Sequence, residues 1–537
     1  MTSSSGGHAE GQELHQRQSS GLVRQGKPFD AFAFNLFGLT IGVVAGWILL
    51  YGIPFYPGSN VLLTIVICFV CSIGFVLVYA LFTAIMPRSG GDYVFIGRSL
   101  HPSIGFAANA SFMFWVVMFI AISGILIAQI GLSTVFRQLG AATDNVSWAT
   151  WGDWFYTDWG QFWSGLAAIA ILGPLLVVSR RGLKNYFTFQ KYLIIFALGT
   201  LLITIIVMLV MPGDSFVSSF DKYVEKFSGK AGAHAALLEA GGSHGDFSFK
   251  QSAQAIVWPF YGVCFLVISC YWAGESRPGL RAQLTGMGSS FATGFALLMI
   301  TVGVALMAFG VDFLNALGLA DPTEFGLAFT PFYVELAGTW TGAVIGILMT
   351  LGMTAWLVSY VPFLSIMAIR SILAWSFDGV APQWFGRVDR RGNPVNATIA
   401  CYTLALVLLV IYSFTDWLTV TTPLLSFAFT LWLTCLSAIV FPYRRKSLFE
   451  ASPAAVRVGG VPLMSLAGVA GLAGLTVIIV LLVTDVNSGT NWPADKGQIY
   501  AIIGAFLGAG ALWGLSAAVQ RMRGIDVGDA SRTLPVE

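Results

Sequence analysis

The sequence predicts an all-α integral membrane protein with twelve transmembrane helices, and three observations carry that prediction. Of 537 residues, 56% are hydrophobic and only 10% are charged, whereas about a quarter of an ordinary soluble chain is charged. Mean hydropathy is +0.77, more apolar surface than a soluble domain can hide. Apolar runs of roughly 20 residues, the length needed to cross a bilayer, recur from residue 31 to residue 520.

The runs lie at 31–53, 61–86, 104–132, 161–179, 186–211, 253–274, 287–311, 341–376, 396–414, 418–441, 461–484 and 498–520, with a separate short helix at Pro331 to Gly338 before the eighth. Residues 1–27 are polar, rich in glycine and serine, and lack the apolar core of a signal peptide. They read as a disordered, uncleaved tail, and residues 521–537 read as a second tail. With the N-terminus inside, 21 of the 28 Lys and Arg residues fall in inside segments and six in outside loops. That bias puts both termini in the cytoplasm and suits a multi-pass protein of the plasma membrane.

The first run holds a pattern of its own. In Phe34 to Tyr51, FNLFGLTIGVVAGWILLY, Gly38, Gly42 and Gly46 fall four apart on one face. Such spacing lets another helix approach closely, or lets the backbone leave its own hydrogen bonds around a ligand. In the sixth run Trp258-Pro259-Phe260-Tyr261-Gly262 reads as the matching interruption, because proline removes a donor and glycine frees the backbone.

Several chemistries find no support. Net charge is +2, too small to suggest nucleic acid. The five histidines lie in tails and loops, and HExxH and GxSxG are absent, so neither a metal centre nor a hydrolase is visible. The six cysteines sit in apolar runs without disulfide or metal spacing and read as packing residues. Five tryptophans between Trp148 and Trp163 read as an interfacial belt. The sequence therefore implies no enzyme and no cofactor; the expected partners are a small-molecule substrate and the lipid bilayer, and oligomeric state is not encoded.

Three inside segments are more specific. Pro87-Arg88-Ser89-Gly90-Gly91-Asp92-Tyr93 follows run two, Gly274-Glu275-Ser276-Arg277-Pro278 follows run six, and Arg370 with Phe377-Asp378-Gly379-Val380-Ala381-Pro382 and Arg391-Gly392-Asn393-Pro394 follows run eight. These blocks, in this order, resemble the amino acid-polyamine-organocation (APC) transporter superfamily over about residues 28 to 440. The resemblance implies a LeuT-type core at 28–441, a 5+5 inverted repeat of helices 1–5 (31–211) and 6–10 (253–441). Helices 1 and 6 would be broken around the substrate, and helices 11 and 12 (442–520) would be peripheral. Two departures stand out: Trp47-Ile48 replaces the family's Ser-Gly, and Phe265 falls where a glycine is common. Both imply a bulkier, more apolar site.

The resemblance also bears on Lys191. Phe187-Thr188-Phe189-Gln190-Lys191 matches a family pattern in which the lysine takes the place of a sodium ion. It would then hold carbonyls near Gly42 and a hydroxyl such as Ser359. The alternative is a lysine that snorkels to the inner interface, since it lies roughly 8 Å inside run five. Asp30 and Glu275, at the inner edges of runs one and six, read as gates or caps.

Together these readings predict a secondary active transporter of a small organic solute, an amino acid or a related amine, working by alternating access, sodium-independent, and proton-coupled or exchanging. A different solute on the same fold, or a channel or sensor without turnover, is the alternative. The expected site is lined by Gly42, Val43, Val44, Ala45 and Gly46 from run one and Phe260, Tyr261 and Gly262 from run six. Trp115, Phe119 and Ser365 would form its walls, and Lys191 with Ser359 would couple it.

Overall fold

A computed structural model describes residues 26–173, 183–275, 280–326, 330–389, 393–415, 423–524 and 527–530. Among them are eleven helices long and apolar enough to cross a membrane. The expected fourth span is represented by α8 (Asp158–Leu172), and the rest of its predicted run lies outside the described residues. The chain is a multi-pass membrane protein.

Span one is two helices, α1 (Pro28–Leu39) and α2 (Ile41–Leu50), meeting at Thr40. Next come α3 (Val61–Ile85), the short α4 (Asp92–Ser99) and α5 (Pro102–Leu126). A π-helical turn, Ile127–Leu132, carries α5 into α6 (Ser133–Thr143). The third span was expected to end at 132, but the helix runs on to Thr143. Hydropathy records where the bilayer stops, whereas the helix continues because the inward side chains Arg137 and Gln138 are buried against protein.

After α7 (Ser147–Asp153), α8 and α9 (Leu183–Val210), the stretch expected as a long outside loop folds into α10 (Gly213–Ser228) and α11 (Ala233–Gly241). Phe216, Phe220, Tyr223 and Val224 make one apolar face of α10 and follow helical spacing. Phe216 and Phe220 pack on Phe313 of α15, introduced below, with ring centroids 5.3 and 5.2 Å apart.

Span six contains α12 (Phe249–Gln254) and α13 (Val257–Val263), then irregular turns and a 3₁₀ segment, Ile268–Tyr271. Next are α14 (Leu280–Phe309), α15 (Val311–Leu319), α16 (Tyr333–Thr341), α17 (Ala343–Val358) and α18 (Tyr360–Phe377). The chain ends with α19 (Val395–Phe414), α20 (Pro423–Arg444), α21 (Lys446–Glu450), a two-stranded hairpin, α22 (Leu463–Thr484), α23 (Lys496–Met522) and α24 (Val527–Ala530).

Span one is the centre of the packing, with every residue from Ala33 to Leu50 buried. Span eleven, expected as peripheral, docks closely on spans two and ten. A Cβ on Gly74 would lie 2.1 Å from the Gly471 nitrogen, and one on Gly474 would lie 2.0 Å from the Cys71 carbonyl oxygen. Those glycines let backbones touch.

Candidate functional site

Thr40 has φ 49° and ψ 51°, a left-handed conformation that costs a β-branched residue roughly 1–2 kcal/mol. Its hydroxyl donates to the Phe37 carbonyl at 2.9 Å. Backbone groups released inside a membrane must find partners in protein. The Gly38 carbonyl finds the Tyr360 hydroxyl of α18, which donates to it at 2.9 Å.

The interruption in span six is secured from span one. Asn35 accepts from the Ser269 N–H at 2.9 Å and donates to the Ser269 hydroxyl at 3.1 Å. Its location corrects the sequence reading. Trp258 to Gly262 are helical, and the irregular stretch lies at Cys264–Val267. Pro259 is the third residue of α13, where a first-turn N–H has no intrahelical partner in any case. In span one, likewise, Gly42 to Gly46 are helical and the non-helical residue is Thr40.

The two interruptions meet. A Cβ on Gly262 would lie 2.3 Å from the Leu39 carbonyl oxygen, and one on Gly38 would lie 2.7 Å from the Phe265 carbonyl oxygen. Aromatic rings fill the space around this junction. Tyr261 packs edge-on against Trp47 at 4.9 Å and Phe119 at 5.6 Å. Phe265 packs against Phe427 at 5.3 Å and Phe363 at 6.1 Å. Trp47, in place of a small residue, thus forms one wall against span six.

The predicted site residues divide. Val43, Val44, Ala45 and Phe260 are fully buried around the junction of spans one and six. Gly42 and Gly46 are taken up by packing, since a Cβ would meet Trp356 at 2.9 Å and Phe332 at 2.3 Å, respectively. Trp115 is buried, and its indole N–H has no hydrogen-bond partner among the described residues. The Ser365 hydroxyl is committed to the Val361 carbonyl at 2.6 Å and to the Tyr402 hydroxyl at 3.0 Å, which ties span eight to span nine.

Lys191 stands apart from the groups that the motif would have it hold. It lies on the exposed side of α9, one turn from the exposed Ile195; among the described residues it has no hydrogen bond to Ser359, and the group of span one within reach of its charge is Asp30. Ser359 is paired with the Tyr186 hydroxyl at 3.4 Å. The helical period is the reason: Tyr186, Gln190 and Ala197 face inward, and Lys191 is turned about 100° from Gln190. The buried polar group at this level is Gln190, both of whose amide ends lack partners among the described residues.

Ion pairs close both ends. At one end Arg370 donates to Glu275 at 2.7 Å, and Arg98 pairs with Asp378 at 2.6 Å while Tyr93 donates to the same carboxylate at 2.8 Å. Residues of the three sequence blocks therefore converge in space, and Glu275, at the end of span six, is held by Arg370. At the other end Glu335 of α16 accepts from Arg137 of α6 at 2.8 and 2.7 Å and from Tyr223 of α10 at 2.6 Å. Arg137 and Glu335 are 1% and 0% exposed. The sequence reading missed this network, Asn35 and Tyr360. A lone asparagine in an apolar run was a visible signal; Arg137 and Glu335, 198 residues apart, offered none.

Comparison with known proteins adds one finding. A family model described as amino acid permease matches residues 32–507. No curated protein matches the chain.

Proposed function

Because the chain belongs to the amino acid permease family, within the APC superfamily of membrane transporters, we propose that it is a secondary active transporter of an amino acid or related amine. It works by alternating access in the plasma membrane, with both termini cytoplasmic. The carrying observation is the junction of two interrupted spans, at Thr40 and at Cys264–Val267, each secured by a side chain of another helix. Non-helical backbone at membrane depth is tolerated where it lines a site, and its polar groups then serve as ligands. Locks at both ends of the bundle suit a carrier, which must seal one side before opening the other.

The site would take its polar contacts from the backbone around Thr40 and from Trp115, and its shape from Trp47, Phe119, Phe260 and Tyr261. Those rings favour a solute with an apolar or flat side chain over a small zwitterion. Sodium independence is supported by Tyr360, whose hydroxyl already occupies the Gly38 carbonyl. A thermal-shift screen of amino acids, amines and small carboxylates on purified protein tests the substrate class. A true ligand at 100 times its Kd adds about 2.7 kcal/mol of stability. Counterflow in proteoliposomes then tests the carrier itself, because internal solute accelerates uptake through a carrier and leaves a channel or sensor unaffected.

A further inference from the structure

The loop after span two is stitched to the end of span six. The Gly90 N–H donates to the Tyr271 carbonyl at 3.2 Å, and Ser89 bridges to Trp272. Gly90 and Gly91 have φ 101° and 51°. A Cβ on Gly91 would lie 2.9 Å from the Cys270 sulfur, so the turn requires glycine both for its conformation and for this approach.

The turn delivers Asp92, which is 0% exposed. Its Oδ1 accepts from the Tyr271 hydroxyl and from the Asn109 amide of span three at 3.3 Å. Asn109 in turn accepts from the Trp375 indole of span eight at 2.8 Å. Among the described residues its Oδ2 has no side-chain partner and no cation pairs with Asp92, unlike Glu275, Asp378 and Glu335.

The neighbouring groups on each packed element supply no neutralising charge at hydrogen-bond distance. Tyr271 and Cys270 face Asp92 from span six and Tyr79 from span two, all within reach of its field. Arg98 and Tyr93, further along α4, are engaged with Asp378. Arg444, the last residue of α20, and Arg445 just after it donate to carbonyls at the far end of α4. Arg88 lies in the preceding loop.

Two side-chain donors on Oδ1 and no side-chain partner for Oδ2 among the described residues fit a neutral acid: a carbonyl at Oδ1 and a hydroxyl at Oδ2. We propose that Asp92 is the proton-binding site of this carrier, holding a proton while the inner end is closed and releasing it when that end opens. The inference rests on the transporter reading. Opening admits water beside Tyr271. The Oδ2–H bond then breaks, the proton passes to water as hydronium, and the electron pair stays on the carboxylate, which the water solvates.

Burial pushes the Asp92 carboxyl up to about 7 in this closed arrangement, against the usual 3.8, with Tyr271, its own backbone N–H and Asn109 opposing the shift. The sign follows from linkage. The raised value belongs to the closed state, so the proton's support for closure is complete below about 4. It is lost as pH rises through about 7, and alkaline pH favours inward opening.

Infrared titration of the purified protein tests the site without any substrate. A protonated-carboxyl band should titrate with a midpoint near 7 and vanish in Asp92→Asn, while Asp485→Asn, which removes another buried carboxyl, one that accepts from Tyr56, leaves it in place. In proteoliposomes, uptake by wild type should vary with pH by up to roughly tenfold per unit, the limit for one proton, and the profile should flatten in Asp92→Asn. Loss of the band in Asp92→Asn counts only if the variant keeps the wild-type gel-filtration profile; Asp92→Glu, which restores a titratable group, should restore a band. A band that is missing at every pH, or unchanged in Asp92→Asn, overturns the site whatever transport shows. A titrating band with the same pH profile in wild type and Asp92→Asn overturns the coupling. Failure of every solute in counterflow would instead overturn the transporter reading, and the infrared titration would decide the proton site alone.

Discussion

The two ends of the bundle are closed by different means. At the end that the proposed orientation places outside, here the outer end, one buried arginine and one buried glutamate, joined by Tyr223, hold three elements together: the extension of span three, the helix before span eight and a helix of the loop between spans five and six. At the opposite end, inner in that orientation, two separate ion pairs share the task, and a third carboxyl, Asp92, has no cation among the described residues. A single concentrated lock fails at one point, whereas a distributed one yields in stages and leaves room for a group whose charge can change. The difference suggests that the outer end is the structural anchor and the inner end the adjustable one.

The strongest way to break this comparison is Glu335→Ala. It leaves the Arg137 guanidinium buried and unpaired, a defect of about 3–5 kcal/mol, and should lower the thermal unfolding midpoint more than any single inner change. The double variant Arg137→Met with Glu335→Leu should recover most of that loss, since apolar residues of similar volume often replace a buried pair at little cost. If the single variant unfolds at the wild-type temperature, the anchor assignment fails.

A smaller effect is expected at the inner end. Glu275→Gln keeps the shape and one hydrogen bond to Arg370 but removes the charge, worth about 1.5–3 kcal/mol, while Arg98 and Asp378 stay paired. Cysteine labelling from the inner side should quicken before stability falls appreciably. A loss of stability equal to that of Glu335→Ala would show that the two ends are not different in kind.

The smallest effect is expected at Lys191. With its stem on the lipid-facing side, Lys191→Met should change uptake by less than about twofold, as for exposed charges with little net energy. A tenfold loss would support the coupling role that the motif implies.

The contrast between the ends is also a contrast in legibility. Composition and apolar runs were enough for the membrane class and most spans, because hydropathy is a local property. The inner end was legible because its residues sit in short blocks, PRSGGDY, GESRP and FDGVAP, whose glycines and prolines mark special backbone. Even so, the blocks did not reveal that Asp92 would lack a cation while Asp378 would find Arg98, since that depends on helix rotation. The same rotation governs Lys191: the five-residue match is present, but one step along the helix separates the buried Gln190 from the exposed Lys191. The positions of the interruptions shifted for a related reason. Proline and glycine mark where a helix can stop, whereas Thr40 and Cys264 to Val267 are where partners such as Tyr360 and Asn35 make stopping stable.

Thr40 has a further mechanical meaning. One residue separates α1 from α2, so the two rods of span one are joined by a pivot rather than a flexible tether. At 1.5 Å per residue the twelve residues of α1 make an arm of about 18 Å. Turning that arm by about 10° sweeps its far end through roughly 3 Å. The Gly26 N–H near that end donates to the Glu275 carbonyl at 2.9 Å, so a rotation this small is enough to part the start of span one from the end of span six.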